Sequence, residues 1–484
     1  MDVDKKDIED VPQQPEYVHD DVFGEISEHG PNFRNVGFIG TVILMMKTQI
    51  GLGVLAIPSA LDVLGMVPGI ICLFIIYCIT TWSGFIVGTF KINHREVYSI
   101  DDAGALMFGP LGRWALSAAF CLYYIFTSGS AILGLSIGLN AVSTHATCTA
   151  VFTAVAAIVG FCFCSIRTLG RITTVAWVGL PCILTAVIIV TVAVGIEDRP
   201  ADAPKTDGPW VSDWVAVGHP SFADGIAAVS NLLFSFTGIP GFFSIVCEMR
   251  DPHQYTKAVV ISQTGVLAVY SVIGGVVYYY CGTYVSSPAL GSAGGVVKII
   301  SYAFALPGLL ATLTIIAHVS HKQPNCDIGP NMPTIPLAKT LKVPAKFIFV
   351  NILRGSRHLT SNSPTHWITW LSCTFGIVAI AWIIASTIPV FDALVSLIGA
   401  LLGPLICIQP MGAMWLYDNW RKGKDAARLS KRWMFQVVWS VLMILIGSFM
   451  MVAGTYGSVK YIMASYAESG GSAAFSCADN SNSA

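Results

Sequence analysis

Eleven stretches of mainly apolar residues divide this chain, near 36–61, 65–90, 111–142, 147–166, 173–196, 222–247, 256–282, 296–319, 366–388, 391–416 and 433–456. A helix needs ~20 apolar residues to cross the hydrocarbon core of a bilayer. Backbone amides at that depth bond only within their own segment, so each stretch reads as a helix. Of the 484 residues only 11% are charged, against about 25% in soluble domains. So few charges cannot solvate a globule of this size, and a lipid bilayer must cover it. The fold class expected is an all-α polytopic membrane protein with about eleven transmembrane helices.

Lysine and arginine set the orientation, because both favour the cytoplasmic side. With the N-terminus placed inside, 19 basic residues fall in inner loops, and only Arg199, Lys205, Lys298 and Lys460 lie outside. That asymmetry supports an odd number of spans. Residues 1–34 hold ten acidic residues and little to bury, and read as a disordered cytoplasmic tail. Residues 457–484 then form an extracytoplasmic tail. The net charge of −1 points to no nucleic-acid partner. Most of the 13 cysteines, such as Cys72, Cys121, Cys164 and Cys407, lie inside apolar runs. They read as small apolar residues rather than as a disulfide framework. No Cys or His spacing suggests a metal, and no cofactor is expected.

Two of the helices should not be straight. The first stretch carries Gly51, Gly53 and Pro58 near its centre, and the sixth carries Gly238, Pro240 and Gly241. Glycine weakens a helix, and proline deletes a hydrogen bond and clashes with the preceding turn. The faults lie five spans apart. An odd offset starts a second unit from the opposite side, so the expectation is a 5+5 inverted repeat, 36–196 and 222–416, with an extra helix at 433–456. Matched interruptions in two such halves point to a midplane binding site. The half-helix after Gly53 starts at mid-depth with free amides and a positive dipole end, which suits a carboxylate. The outer half of the sixth span ends near Ser235 and Phe236 with carbonyls that suit an ammonium group. Together they fit a zwitterion with both charges on one carbon. No acidic residue lies at mid-depth to hold a cationic side chain, so a neutral side chain fits better.

Other residues stand out near these breaks. Tyr123 and Tyr124 lie mid-span in the third helix, where a hydroxyl can reach the carboxylate and the rings can line a side-chain pocket; plain packing is the alternative. Gly399 and Gly403 in the tenth span read as close-packing positions. Lys47 sits one turn before the first break, where a lysine is expensive. It can titrate, pair with a carbonyl or stand in for a sodium ion; otherwise it snorkels to the inner surface. Glu248, Arg250 and Asp251 close the inner end of span six and can form an inner gate with Arg34. Asp62, Asp224 and Asp392 at outer helix ends read as structural. Thr312 and Thr314 offer hydroxyls to a sodium site, but such hydroxyls commonly bond their own helix.

The run Lys47-Thr48-Gln49-Ile50-Gly51-Leu52-Gly53-Val54-Leu55-Ala56-Ile57-Pro58 resembles the first-span pattern of the amino acid/auxin permease family, and Glu248-Met249-Arg250-Asp251-Pro252 is similar to its element after span six. The resemblance runs over about 35–456, and more narrowly the sequence resembles fungal neutral amino acid permeases of the methyltryptophan-resistance type. It implies the leucine-transporter-like (APC) fold with broken first and sixth helices, and proton-coupled uptake of neutral amino acids. By that likeness Ile50, Gly51, Leu52 and Gly53 hold the substrate carboxylate. Ser235, Phe236, Thr237 and Gly238 hold the amine and the start of the side chain. The transport unit implied is one chain, in the plasma membrane or alternatively the vacuolar membrane. Residues 320–343 depart from the pattern: polar and proline-rich, they read either as a retained intron or as a real inner loop.

Other classes fit less well. An intramembrane enzyme would show H-E-x-x-H, G-x-S-x-G or paired aspartates, and none is present. A channel would show a filter or a ring of charges. A sensor would keep the amino acid site, lose turnover and couple through a large soluble tail, whereas both tails here are short.

Overall fold

Glycine and proline decide where the helices stop. The computed structural model describes residues 18–20, 24–26, 36–165, 169–204, 210–318, 364–424, 430–468 and 475–481. The first apolar stretch becomes α1 (Phe38–Lys47), a 3-10 turn (Gly53–Ala56) and α2 (Ile57–Leu64). Pro58 falls in the first turn of α2, where its missing N–H would have no partner anyway. Then follow α3 (Met66–Asn93), α4 (Ile100–Ser143), α5 (Thr149–Cys164) and α6 (Leu169–Ile196). The sixth stretch divides into α7 (Phe222–Ser235), a 3-10 turn (Ile239–Gly241) and α8 (Phe242–Glu248). Next come α9 (Tyr255–Cys281), α10 (Gly295–His318) and α11 (Pro364–Thr387). The tenth stretch holds α12 (Phe391–Leu401), α13 (Gly403–Cys407) and α14 (Gln409–Lys424), and α15 (Lys431–Glu468) closes the bundle.

Among the described residues, eight helices are long and apolar enough to cross a membrane, or nine if the pair Phe391–Leu401 and Gly403–Arg421, bent by 46°, counts as one span. Three shorter apolar helices, Phe38–Lys47, Gly53–Leu64 and Thr149–Cys164, complete the apolar set. The chain is therefore a polytopic, helical membrane protein. Its centre and rim are distinct. The apolar windows of Ile100–Ser143 and Phe222–Glu248 are each 83% buried, while that of Lys431–Ala467 is 28% buried and mostly meets lipid. The interrupted sixth span is thus enclosed by protein on nearly all sides, where irregular backbone is tolerated. α10 packs along both α6 and α4, and α12 packs on α7.

Several details differ from the sequence expectation. The tenth stretch is not one helix over 391–416. It breaks at Leu402 and again at Ile408, ahead of Pro404 and Pro410, each of which withdraws a backbone donor. α4 starts at Ile100, before the expected 111, and the chain turns at Gly109–Pro110. Asp101 and Asp102 in that first turn kept the segment from reading as apolar. α15 runs past 456 to Glu468. Within the tail expected to be disordered, Val18–Asp20 and Gly24–Ile26 pair as an antiparallel two-stranded ribbon. Arg34 and the 320–343 insert lie outside the described residues.

The cysteines also hold a surprise. Cys148 and Cys477 form a disulfide. Both lie in short polar segments, unlike the cysteines buried in apolar runs, and that contrast was the available signal. The bond clamps the C-terminal segment onto the start of α5. Thr149 donates to the Ala478 carbonyl at 2.7 Å, Asn140 to Asn480 Oδ1 at 2.8 Å, and the Phe475 amide to the Ser386 carbonyl at 3.0 Å. The Lys298 ammonium donates to the Ser481 carbonyl.

Candidate functional site

The two interruptions meet. Ser235, the last residue of α7, donates its hydroxyl to the carbonyl of Gly53, the first residue after the first break, at 3.0 Å. The backbones pass so closely that a Cβ on Gly53 would stand 2.6 Å from Ser235 Cα. The N-terminal end of the Gly53–Leu64 half-helix therefore faces the C-terminal end of α7. Partial positive and partial negative dipole ends lie side by side.

Free backbone groups collect at this junction. The amides of Gln49 and Ile50 still donate to the Met46 carbonyl, at 3.1 and 2.7 Å. Among the described residues, those of Gly51, Leu52 and Gly53 find no backbone carbonyl. At the end of α7, the Leu233 carbonyl accepts from the Phe236 amide and the Phe234 carbonyl from the Thr237 amide, both at 3.0 Å. The Ser235 carbonyl accepts from the Tyr270 hydroxyl at 2.9 Å. The Phe236 carbonyl has no donor among the described residues.

A cavity of ≈ 50 Å³ opens against this junction. Seven of the ten residues expected to touch substrate line it: Gly51, Leu52, Gly53, Tyr123, Tyr124, Thr237 and Gly238. Ile50, Ser235 and Phe236 are buried beside it and do not line it. Ile50 continues the helical bonding of α1, Ser235 ties the two breaks together, and Phe236 packs edge-on against Tyr270 with ring centroids 5.2 Å apart. Tyr123 bonds the Thr237 hydroxyl at 2.8 Å, so α4 is joined directly to the second break.

Lys47 also lines the cavity. It does not snorkel: it is 4% exposed, and its Nζ turns to Thr312 Oγ1 at 2.8 Å and the Ile50 carbonyl at 3.4 Å. The last turn of α1 thus places a cation at its own negative dipole end and links that end to α10. Glu248 lies away from the cavity, at the C-terminal end of α8. There the Val36 amide donates to the Glu248 carbonyl at 3.1 Å and the Arg250 amide to the Val36 carbonyl at 3.0 Å, which zips the N-terminal end of the first interrupted span to the C-terminal end of the sixth.

Sequence reasoning passed over Thr48, Gln49, Thr127, Phe234, Ile315 and Ile316, all of which line the cavity. Gln49 carried a signal, since it is polar within an apolar run. The others become visible only when helices far apart in the chain are brought together. Among the described residues, no group of three His, Cys, Asp or Glu side chains gathers as a metal site.

Known proteins have sequences similar to this chain over nearly its whole length. A chain from Gibberella moniliformis called "Transmembrane transporter" is 34% identical over 453 residues, covering 93% of this chain and 89% of that one. A chain of the same name from Fusarium pseudograminearum is 32% identical over 453 residues, with the same coverage of 93% and 89%. The "N amino acid transport system protein" of Neurospora crassa is 29% identical over 456 residues, covering 94% and 91%. The family described as "Transmembrane amino acid transporter protein" matches residues 34–460, nearly the whole membrane region, and the chain belongs to that amino acid/auxin permease family.

Proposed function

We propose that this protein is a secondary active transporter that imports neutral amino acids, aliphatic and aromatic, by proton symport through alternating access. The observation that carries this reading is the junction of the two breaks. Free amides at Gly51, Leu52 and Gly53, which line one small cavity, suit a carboxylate, and the Phe236 carbonyl, buried beside that cavity, suits an ammonium group. A zwitterion satisfies both ends at once. Among the described residues, no acidic side chain lines the cavity to receive a cationic side chain.

Counting the broken first span and the Thr149–Cys164 helix with the nine longer spans gives eleven crossings. They fit a five-plus-five inverted repeat of the leucine-transporter type with α15 at the rim. One chain then contains a complete transport unit. Lys47 is the coupling residue of this scheme, because its ammonium occupies the gap between the first break and Thr312. A second monovalent cation there would meet it at close range, which favours protons over sodium. Glu248 acts at the inner gate, where the ends of both broken spans are zipped. The Cys148–Cys477 bond suits a face turned toward an oxidising compartment, in keeping with a cytoplasmic N-terminus and a plasma-membrane location; a vacuolar membrane is the alternative.

Uptake of a panel of labelled amino acids into proteoliposomes, with imposed pH or sodium gradients, tests the reading. Uptake driven by an inward proton gradient and indifferent to sodium is the expected result. Binding without counterflow of label would instead mark a sensor.

A further inference from the structure

Gln49 sits in the first break, 5% exposed, and lines the cavity. Neither its Nε2 nor its Oε1 has a hydrogen-bond partner among the described residues. Four other polar residues that line the cavity are engaged. Thr48 donates to the Met45 carbonyl, Lys47 to Thr312, Thr127 to the Tyr123 carbonyl and Thr237 to the Phe234 carbonyl. Gln263 on α9 is also buried without a partner, but it does not line the cavity. A Cβ on Gly238 would stand 2.8 Å from Gln49 Cγ, so the stem of this side chain runs along the second break. The free carboxamide therefore lies at the junction itself.

Native structures rarely leave a buried amide unpartnered unless something else binds there. A carboxamide offers two N–H donors beside one acceptor oxygen. A carboxylate answers only the donors, an ammonium answers only the oxygen, and an alkyl chain answers neither. A second carboxamide answers both, through paired N–H···O bonds. The Lys47 ammonium, two residues away along the chain, adds repulsion against a cationic side chain.

We infer that Gln49 is a specificity-determining residue that reads a donor and an acceptor at the tip of the substrate side chain. Glutamine and asparagine are then carried, in preference to apolar side chains of equal length. The inference rests on the transport reading above and extends its range of cargo.

Competition against labelled methionine in proteoliposomes tests it, with unlabelled glutamine and norleucine as the competitors. Wild-type protein should favour glutamine by about tenfold or more, since a buried polar site left unanswered discriminates strongly. In Gln49→Leu the preference should vanish or invert in the uptake that remains, with folding read separately by size-exclusion of the purified variant. In Gln49→Asn, which keeps both kinds of group, part of the preference should survive. Equal competition by the two ligands in wild type, or an unchanged ratio in Gln49→Leu, would overturn the inference. The wild-type ratio decides even where a variant fails to fold. Counterflow of methionine without any of glutamine sinks this inference alone, whereas no counterflow of any amino acid sinks the transport reading beneath it.

Discussion

The Ser235 hydroxyl donates to the Gly53 carbonyl at 3.0 Å, so the two interrupted helices touch at their breaks. Gly53→Ala tests that contact. The new Cβ would stand 2.6 Å from Ser235 Cα, and backbone cannot yield as a side chain can. Overpacking of this kind costs about 1–3 kcal/mol and must separate the breaks. Uptake should fall to background while the protein still reaches the membrane, as read by surface immunoblot. Ser235→Ala removes a hydroxyl shared between the Gly53 carbonyl at 3.0 Å and the Asn231 carbonyl at 3.1 Å, worth about 0.5–1.5 kcal/mol, and should retain measurable uptake. Full activity in Gly53→Ala would mean that the close approach is dispensable.

Lys47 and Thr312 give a second prediction. The ammonium donates to Thr312 at 2.8 Å, and its other contact, the Ile50 carbonyl at 3.4 Å, is longer. Lys47→Ala should abolish proton-driven uptake without loss of surface protein. Thr312→Val keeps the shape but withdraws the nearer acceptor, and should lower uptake by about tenfold, because a charge-assisted bond in the interior is worth roughly 1.5–3 kcal/mol. Wild-type kinetics in Lys47→Ala, measured as initial rate against external pH, would remove Lys47 from the coupling mechanism.

What could be read from the sequence, and what could not, follows the range of the interactions. The breaks are legible because Gly51, Gly53 and Pro58, like Gly238 and Pro240, act on their own turns of helix. Membrane spans are legible because a bilayer imposes length and composition locally. The double break of the tenth stretch is legible only as Pro404 and Pro410, which a hydropathy count absorbs into one span. The partners of Lys47 and Tyr123 are not legible at all, since Thr312 and Thr237 are hundreds or more than a hundred residues distant in the chain and become neighbours only through packing. Ile50 and Phe236 lie beside the cavity rather than on it, because the bonding of each amide and carbonyl, which no motif spells out, decides which atoms face the cavity.

The loop before α7 supplies a pH test outside the membrane-spanning segments. Asp213 accepts from the Thr283 amide at 2.9 Å and the Thr283 hydroxyl at 2.6 Å. Burial alone would raise its carboxyl, but the bonds from Thr283 outweigh it and hold the group below its ordinary value. A carboxyl that titrates lower when docked stabilises docking above its free value, and that contribution is lost as pH falls through the docked value. The loop should therefore stay docked through the ordinary aspartate range and loosen only in stronger acid. Thr283→Val should shift loosening to higher pH. Protease cleavage within 210–221 as a function of pH reads the change, and identical profiles for both proteins would count against the Thr283 bonds as its cause.

The Cys148–Cys477 bond predicts which side of the membrane holds the C-terminus. It spans 329 residues of sequence and fixes the last described segment to the start of α5. Hydrogen bonds from Asn140 and Thr149, and the Phe475 ring against Trp382 at 5.6 Å, hold the same segment. Cys148→Ser frees the Cys477 thiol without removing those contacts. In sealed cells a membrane-impermeant maleimide should then add one label that wild-type protein lacks, and Cys148→Ser with Cys477→Ser should lose it again. The comparison with wild type cancels the remaining free thiols, many of which face lipid or the core. Heating should also unfold the single variant at a lower temperature, since a long loop of chain is no longer closed. A label that appears only after the cells are permeabilised would place the C-terminal segment inside, and the N-terminus outside with it if the number of crossings is odd.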